Sequence, residues 1–120
     1  MEQPTFRVET GQLRPGVPLV RVWGWLDGPA GVGLRLILDR CLDGSPWAVV
    51  VELSALSGSR AAAASPLVEI ASRAATTDIG LYLVTTGGAV DRVLGDRETG
   101  ELFDIHHSVE SVERTLGGRG

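Results

Sequence analysis

Apolar positions along the chain change period several times, and each change marks an element. Thr5 to Glu9 alternates, with Phe6 and Val8 on one face, which predicts a short edge strand. Gly11 to Pro18 holds two Gly and two Pro and reads as a turn region. Leu19 to Trp25 alternates again, with Val20, Val22 and Gly24 on one face and Arg21, Trp23 and Trp25 on the other. The short connection predicts an antiparallel pair. Leu26-Asp27-Gly28-Pro29 ends the strand and opens a helix, because a first helical turn tolerates a proline that lacks its N–H. Leu34, Ile37, Leu38, Cys41 and Leu42 then recur at i, i+3, i+4, i+7 and i+8, one apolar stripe of a helix that Asp43 to Pro46 closes.

Trp47 to Leu53 is nearly all apolar and β-branched, as in a strand covered on both faces. Ser54 to Ser59 reads as a loop, and Leu67, Ile70, Ala71 and Ala74 mark a second helix. Two caps compete for its start. Ser59 would place Arg60 and the alanine run inside, whereas Ser65 would place Pro66 at the first position; an irregular or bent start between Ser59 and Pro66 is expected. Asp78 to Thr85 carries a buried strand at Leu81 to Val84, Ala89 to Leu94 a short helix, and Leu102 to Ile105 a last strand. Ser108 caps a final helix with Val109, Val112 and Leu116 inward, ended by Gly117-Gly118. The order β-β-α-β-α-β-α-β-α predicts one α/β domain over residues 1–120, with a mixed, mostly parallel sheet of about five strands and about four helices.

Composition narrows the function classes. The 120 residues suit one domain, and 43% hydrophobic with 22% charged residues is a globular balance. The net charge of −4, without a basic cluster, argues against nucleic-acid binding. All 11 basic residues are Arg, which reads as a GC-rich coding bias. No apolar run reaches the roughly 20 residues of a membrane helix, and the N-terminus lacks the basic and apolar parts of a signal peptide, so no membrane insertion is expected. Cys41 is the single cysteine, which excludes an internal disulfide and makes the cytoplasm the expected location; within its stripe it reads as a small buried hydrophobe.

The chain shows no nucleophile with a base and an orienting acid. Gly31-Val32-Gly33 falls inside a helical stripe without the third glycine of a dinucleotide loop, and Ser57-Gly58-Ser59-Arg60 lacks the spacing and lysine of a phosphate loop. His106 and His107 are neighbours at a strand end and point apart, a poor metal site. No cofactor and no metal are therefore expected. Trp23 and Trp25 are read as packing residues before partner contacts. The strand, loop and helix start between Trp47 and Pro66 is where a working site is expected, because a helix N-terminus presents free backbone N–H groups and partial positive charge.

Three stretches carry a family resemblance: Gly24-Trp25-Leu26-Asp27, the strand Val49-Val-Val-Glu-Leu-Ser-Ala-Leu56, and Ala89 to Leu94 followed by Glu101-Leu-Phe-Asp-Ile-His106. Together, in order, they resemble the STAS domain family of anti-sigma factor antagonists, over about Phe6 to Leu116. The resemblance implies a non-enzymatic binding module whose second helix starts with Asp-Ser-(Ser/Thr)-Gly, where a kinase-type anti-sigma factor phosphorylates a serine. A phosphoryl group there adds about −1.5 to −2 charges and can switch a docking surface. At this position the chain has Arg60-Ala61-Ala62-Ala63, with no hydroxyl to phosphorylate.

The resemblance thus implies a regulatory module that docks an anti-sigma factor or sensor kinase without the usual serine switch. The docking residues would be Ser57, Gly58, Ser59, Arg60, Ala61 and Ala62. Ser57 and Ser59 are the candidates for a displaced phosphoacceptor, against the ordinary jobs of a loop turn and a helix cap. The alternative expectation is a structural or assembly subunit of a larger signalling or transport complex. Its alanine run would accommodate another backbone, and a homodimer would go with it. A small enzyme or nucleotide binder rests on fold analogy alone.

Overall fold

The structure is a computed structural model that describes residues 6–26, 28–58, 60–85 and 104–117. Strands β1 (Phe6–Arg14) and β2 (Val17–Leu26) form an antiparallel hairpin, as the alternation predicts. Its turn is narrower than the expected Gly11 to Pro18. Pro15 and Gly16 alone turn the chain. Gly16 takes φ +81°, and a Cβ there would meet the Trp47 ring at 2.9 Å, so the position requires glycine twice over. With proline and glycine closing the turn, Gly11 remains in β1 opposite Leu19.

Helix α1 (Gly28–Asp43) leads to β3 (Ala48–Gly58), then α2 (Arg60–Thr76) to β4 (Gly80–Val84). Strand β5 (Asp104–His106) and α3 (Val109–Leu116) follow. The sheet order is β1-β2-β3-β4-β5; β1 is antiparallel to β2 and every other neighbouring pair is parallel. The fold is therefore α/β with a mixed, mostly parallel sheet. The helix expected at Ala89 to Leu94 lies outside the described residues, as does the start of the strand expected at Leu102.

One expectation is corrected, and the choice between two helix starts is resolved. Ser54 to Gly58 belong to β3 instead of a loop, because β2 keeps pairing with them out to Leu26 opposite Gly58. Helix α2 starts at Arg60, with Pro66 in its interior. The N–H that Pro66 lacks would have bonded the Ala62 carbonyl.

The sheet separates two apolar layers. Val20, Val22, Val49, Val51, Leu53, Leu81 and Leu83 face Leu34, Leu38 and Leu42 of α1 and Leu67, Ile70 and Ala74 of α2. Val17, Leu19, Ala48, Val50 and Val84 face Val112 and Leu116 of α3 on the other side. The strict alternation along β3 is the pleat of a strand buried on both faces. Each helix ends in local hydrogen bonds. After α2, the Ile79 N–H reaches the Ala74 carbonyl at 2.9 Å while Asp78 takes φ +57°, a Schellman closure with aspartate at the left-handed position.

Candidate functional site

The carboxyl ends of β2 and β3 lie side by side, with Trp25 opposite Ser57 and Leu26 opposite Gly58. Strand β4 pairs with β3 only as far as Glu52 opposite Val84. The last part of β3 therefore runs on beside β2 alone among the described strands. A helix begins two residues beyond each strand end, α1 at Gly28 after Leu26 and α2 at Arg60 after Gly58. Two helix N-termini thus open at one edge of the sheet, the edge where open parallel sheets receive ligands and partners. Neither helix has an acidic residue in its first turn, so the partial positive charge there is not offset by its own first turn. Gly24 holds φ +94° just before Trp25 and Leu26, a conformation that favours glycine in the run Gly24-Trp-Leu-Asp27.

Ser57 and Gly58 are the last two residues of β3, and Arg60, Ala61 and Ala62 form the start of α2. Ser59, which links them, lies outside the described residues. What the sequence reading did not include is α1. Val32 and Leu36 are the exposed large apolar residues of the described chain, at 63% and 58%, one turn apart in the second and third turns of α1, the helix that starts at this junction. Their i, i+4 spacing off the buried stripe was the available signal.

Side chains fix α1 against α2. Arg35 pairs with Asp39 at 3.1 Å and with Glu69 of α2. Arg73 of α2 donates to Asp39 Oδ1 at 2.8 Å, to the Asp39 carbonyl at 3.1 Å and to Asp43. The hydrogen bonds that Arg73 donates to Asp43, then to Asp39, raise its pKa above its ordinary value, so it stays charged throughout the accessible range. This row joins α1 and α2 along their middle and carboxyl-terminal turns, alongside the apolar layer they share.

The histidine pair divides as its neighbours in sequence must. His107 Nδ1–H donates to the Thr85 carbonyl at 3.2 Å. His106 lies 2.7 Å from Ser111 Oγ through Nδ1, with its ring against Tyr82. Its buried Nε2 is 3.1 Å from Asp104 Oδ1, without the alignment of a hydrogen bond. These contacts fasten β5 and α3 to β4. Among the described residues, no group of three or more His, Cys, Asp or Glu is placed to hold a metal ion, and no helix is long and apolar enough to cross a membrane.

No protein-family model matches the chain, and no curated protein matches it in sequence. Solved structures do. An anti-sigma factor antagonist from Mycobacterium paratuberculosis is 19% identical and superimposes with a TM-score of 0.76, over 94% of this chain and 95% of that one. The Bacillus cell fate determinant SpoIIAA in its phosphorylated form is 13% identical, with a TM-score of 0.72 over 91% of this chain and 99% of its own. A protein with a SpoIIAA-like fold from Shewanella loihica is 11% identical, with a TM-score of 0.61 over 97% of each chain. The order of elements, the pairing of the strands and these superpositions agree, and the chain has the STAS fold of the anti-sigma factor antagonists.

Proposed function

We propose that the chain is a non-enzymatic regulatory binding module whose partner is an anti-sigma factor or another kinase-type regulator. Docking would use the β3–α2 junction at Ser57, Gly58, Ser59, Arg60, Ala61 and Ala62. The carrying observation is the run Arg60-Ala61-Ala62-Ala63 at the very start of α2 in a STAS fold. Among the neighbours, SpoIIAA is known in unphosphorylated and phosphorylated forms. Here alanine replaces the hydroxyl at the helix start, so the module binds without the family's switch unless Ser57 or Ser59 takes that role. Arg60 would offer a fixed positive charge to an acidic group of the partner, reinforced by the helix N-terminus.

The test is capture of partners from lysate of the source organism, with wild type and Arg60→Glu side by side. A histidine-kinase-like ATPase or anti-sigma factor retained by wild type and lost with Arg60→Glu supports the reading. A partner of another class, or one indifferent to Arg60, overturns it. Exposed Val32 and Leu36 favour a second reading, an assembly subunit that covers this flank of α1 permanently. Under that reading Val32→Glu abolishes partner retention while Arg60→Glu does not.

A further inference from the structure

Among the described strands, β1 is an edge, with its outer side paired to none of them. Pro18 stands opposite Gln12, and a proline cannot join a pair that exchanges two N–H···O bonds. Antiparallel pairs alternate in type, so Thr10 opposite Val20 and Val8 opposite Val22 are likewise pairs that do not bond each other. The N–H and C=O groups of Phe6, Val8, Thr10 and Gln12 therefore point away from β2, toward the open edge. Phe6 to Thr10 holds no Pro and no Lys, the irregularity of β1 falls between Gln12 and Arg14, and its two charges, Arg7 and Glu9, are of opposite sign, so they oppose only those registers that set like against like.

Charges continue a pattern across the same edge. Glu9 stands opposite Arg21, and Arg21 stands opposite Glu52, 3.9 Å away by their charged groups. Along one row of the sheet the signs alternate, Glu52, Arg21, Glu9, and the next place in the row lies beyond β1. We propose that the occupant is β1 of a second copy of the chain, paired antiparallel about a two-fold axis at Val8. This register places Val8 against the partner's Val8, Glu9 against the partner's Arg7, and Arg7 against the partner's Glu9. The row becomes Glu52, Arg21, Glu9 and the partner's Arg7, alternating without a break. Arg7 and Glu9 are both exposed and form no ion pair with another described residue. Axes on Arg7 or Glu9 would face like charges, and an axis on Thr10 sets Glu9 against Gly11, leaving the charges unmatched.

The other side of the strand agrees. Val8 packs on the core beside Ile37 and Cys41, at the wall of a groove of 410 Å³ that Thr10 and Arg40 also line. In this register the partner's Val8 closes on that wall, and the described strands of the two copies join into one continuous sheet. The interface is two strands away from the β3–α2 junction, so it leaves that site open on both copies and does not depend on what binds there.

The experiment is sedimentation velocity over a concentration series of the whole purified chain, with Arg7→Glu, Glu9→Arg and the double exchange Arg7→Glu/Glu9→Arg. Circular dichroism checks each fold. The expected result is a reversible monomer–dimer equilibrium in wild type, weakened about tenfold or more by either single reversal, which sets like charges opposite each other twice per dimer. The double exchange restores the dimer, because the pairs across the axis re-form with signs swapped, and the like charge that position 9 then sets against Arg21 lies within one chain and is present in monomer and dimer alike. A monomer at all concentrations, a dimer indifferent to the single reversals, or a double exchange that behaves like the singles overturns the proposal. Arg60→Glu is run alongside, and its dimerisation is expected to match wild type, so that failure of the edge and failure of the junction reading remain distinguishable.

Discussion

Ser45 and Asp78 hold left-handed backbone, at φ +53° and +57°, without being glycine. Each follows a helix and lets its last carbonyls be bonded; the Ser45 N–H reaches the Leu42 carbonyl at 3.0 Å. Aspartate tolerates this region better than serine does. Ser45→Gly is therefore expected to stabilise the fold by about 1 kcal/mol, read from the urea midpoint. Gly16→Ala should act the other way, by about 1–3 kcal/mol, since it adds both a positive-φ penalty and a clash with Trp47. Cys41 is a third case, in which burial pushes the thiol above its ordinary 9.0. The unfolded chain then loses this proton first. The stabilising contribution is whole below pH 9.0 and fades as pH rises through the folded pKa. Wild type should lose stability above pH 9, and Cys41→Ala should lose less, in urea titrations across that range.

At the scale of elements, α3 shows most clearly how local chemistry places a helix. Ser108 has extended backbone, and its Oγ accepts the Ser111 N–H at 3.1 Å, while Val112 and Leu116 are buried under the sheet. Ser108→Ala is expected to cost about 1 kcal/mol, with Ser108→Asp restoring most of it, by thermal or urea denaturation. The α1–α2 row predicts a different signature. Loss of Arg73, a third of whose side chain remains in solvent, should destabilise less at high salt than at low salt, whereas Ile70→Ala should cost the same at both. Helices α1 and α3 and the cap at Ser108 were legible in the sequence because their signals are local: an apolar stripe, a serine before it, a glycine after it. The ends of β1 and β3 were not. Gly11 and Ser54 to Gly58 have loop composition, and only a neighbouring strand in register holds them extended. Where β3 gives way to α2 was legible only to within a few residues, and what lies beside that junction was not. Strand pairing brings the start of α1 beside α2, and nothing in residues 54–62 reports on Val32 or Leu36.

For the whole molecule, the two apolar layers share one sheet, and β3 supplies both of them with alternate residues: Val49, Val51 and Leu53 to one face, Ala48 and Val50 to the other. A strand cannot keep one face ordered while the other melts, because its backbone pairs with β2 and β4 at once. Unfolding should therefore be one cooperative event. Trp47 packs on the α3 layer, whereas most helical residues lie in α1 and α2 on the opposite face. A variant with Trp23→Phe and Trp25→Phe leaves Trp47 as the only indole. Its fluorescence then reports one layer and far-ultraviolet circular dichroism mostly the other. The two urea transitions should coincide. Leu83→Ala on the helix-pair face and Leu116→Ala on the α3 face should each move both together, by about 2–5 kcal/mol. If Leu116→Ala instead separates the fluorescence transition from the dichroism, α3 is a unit that can leave the sheet without unfolding it. The contacts of His106 with Ser111 and Tyr82 would then be the clasp that sets its release, and His106→Ala should widen the gap between the transitions.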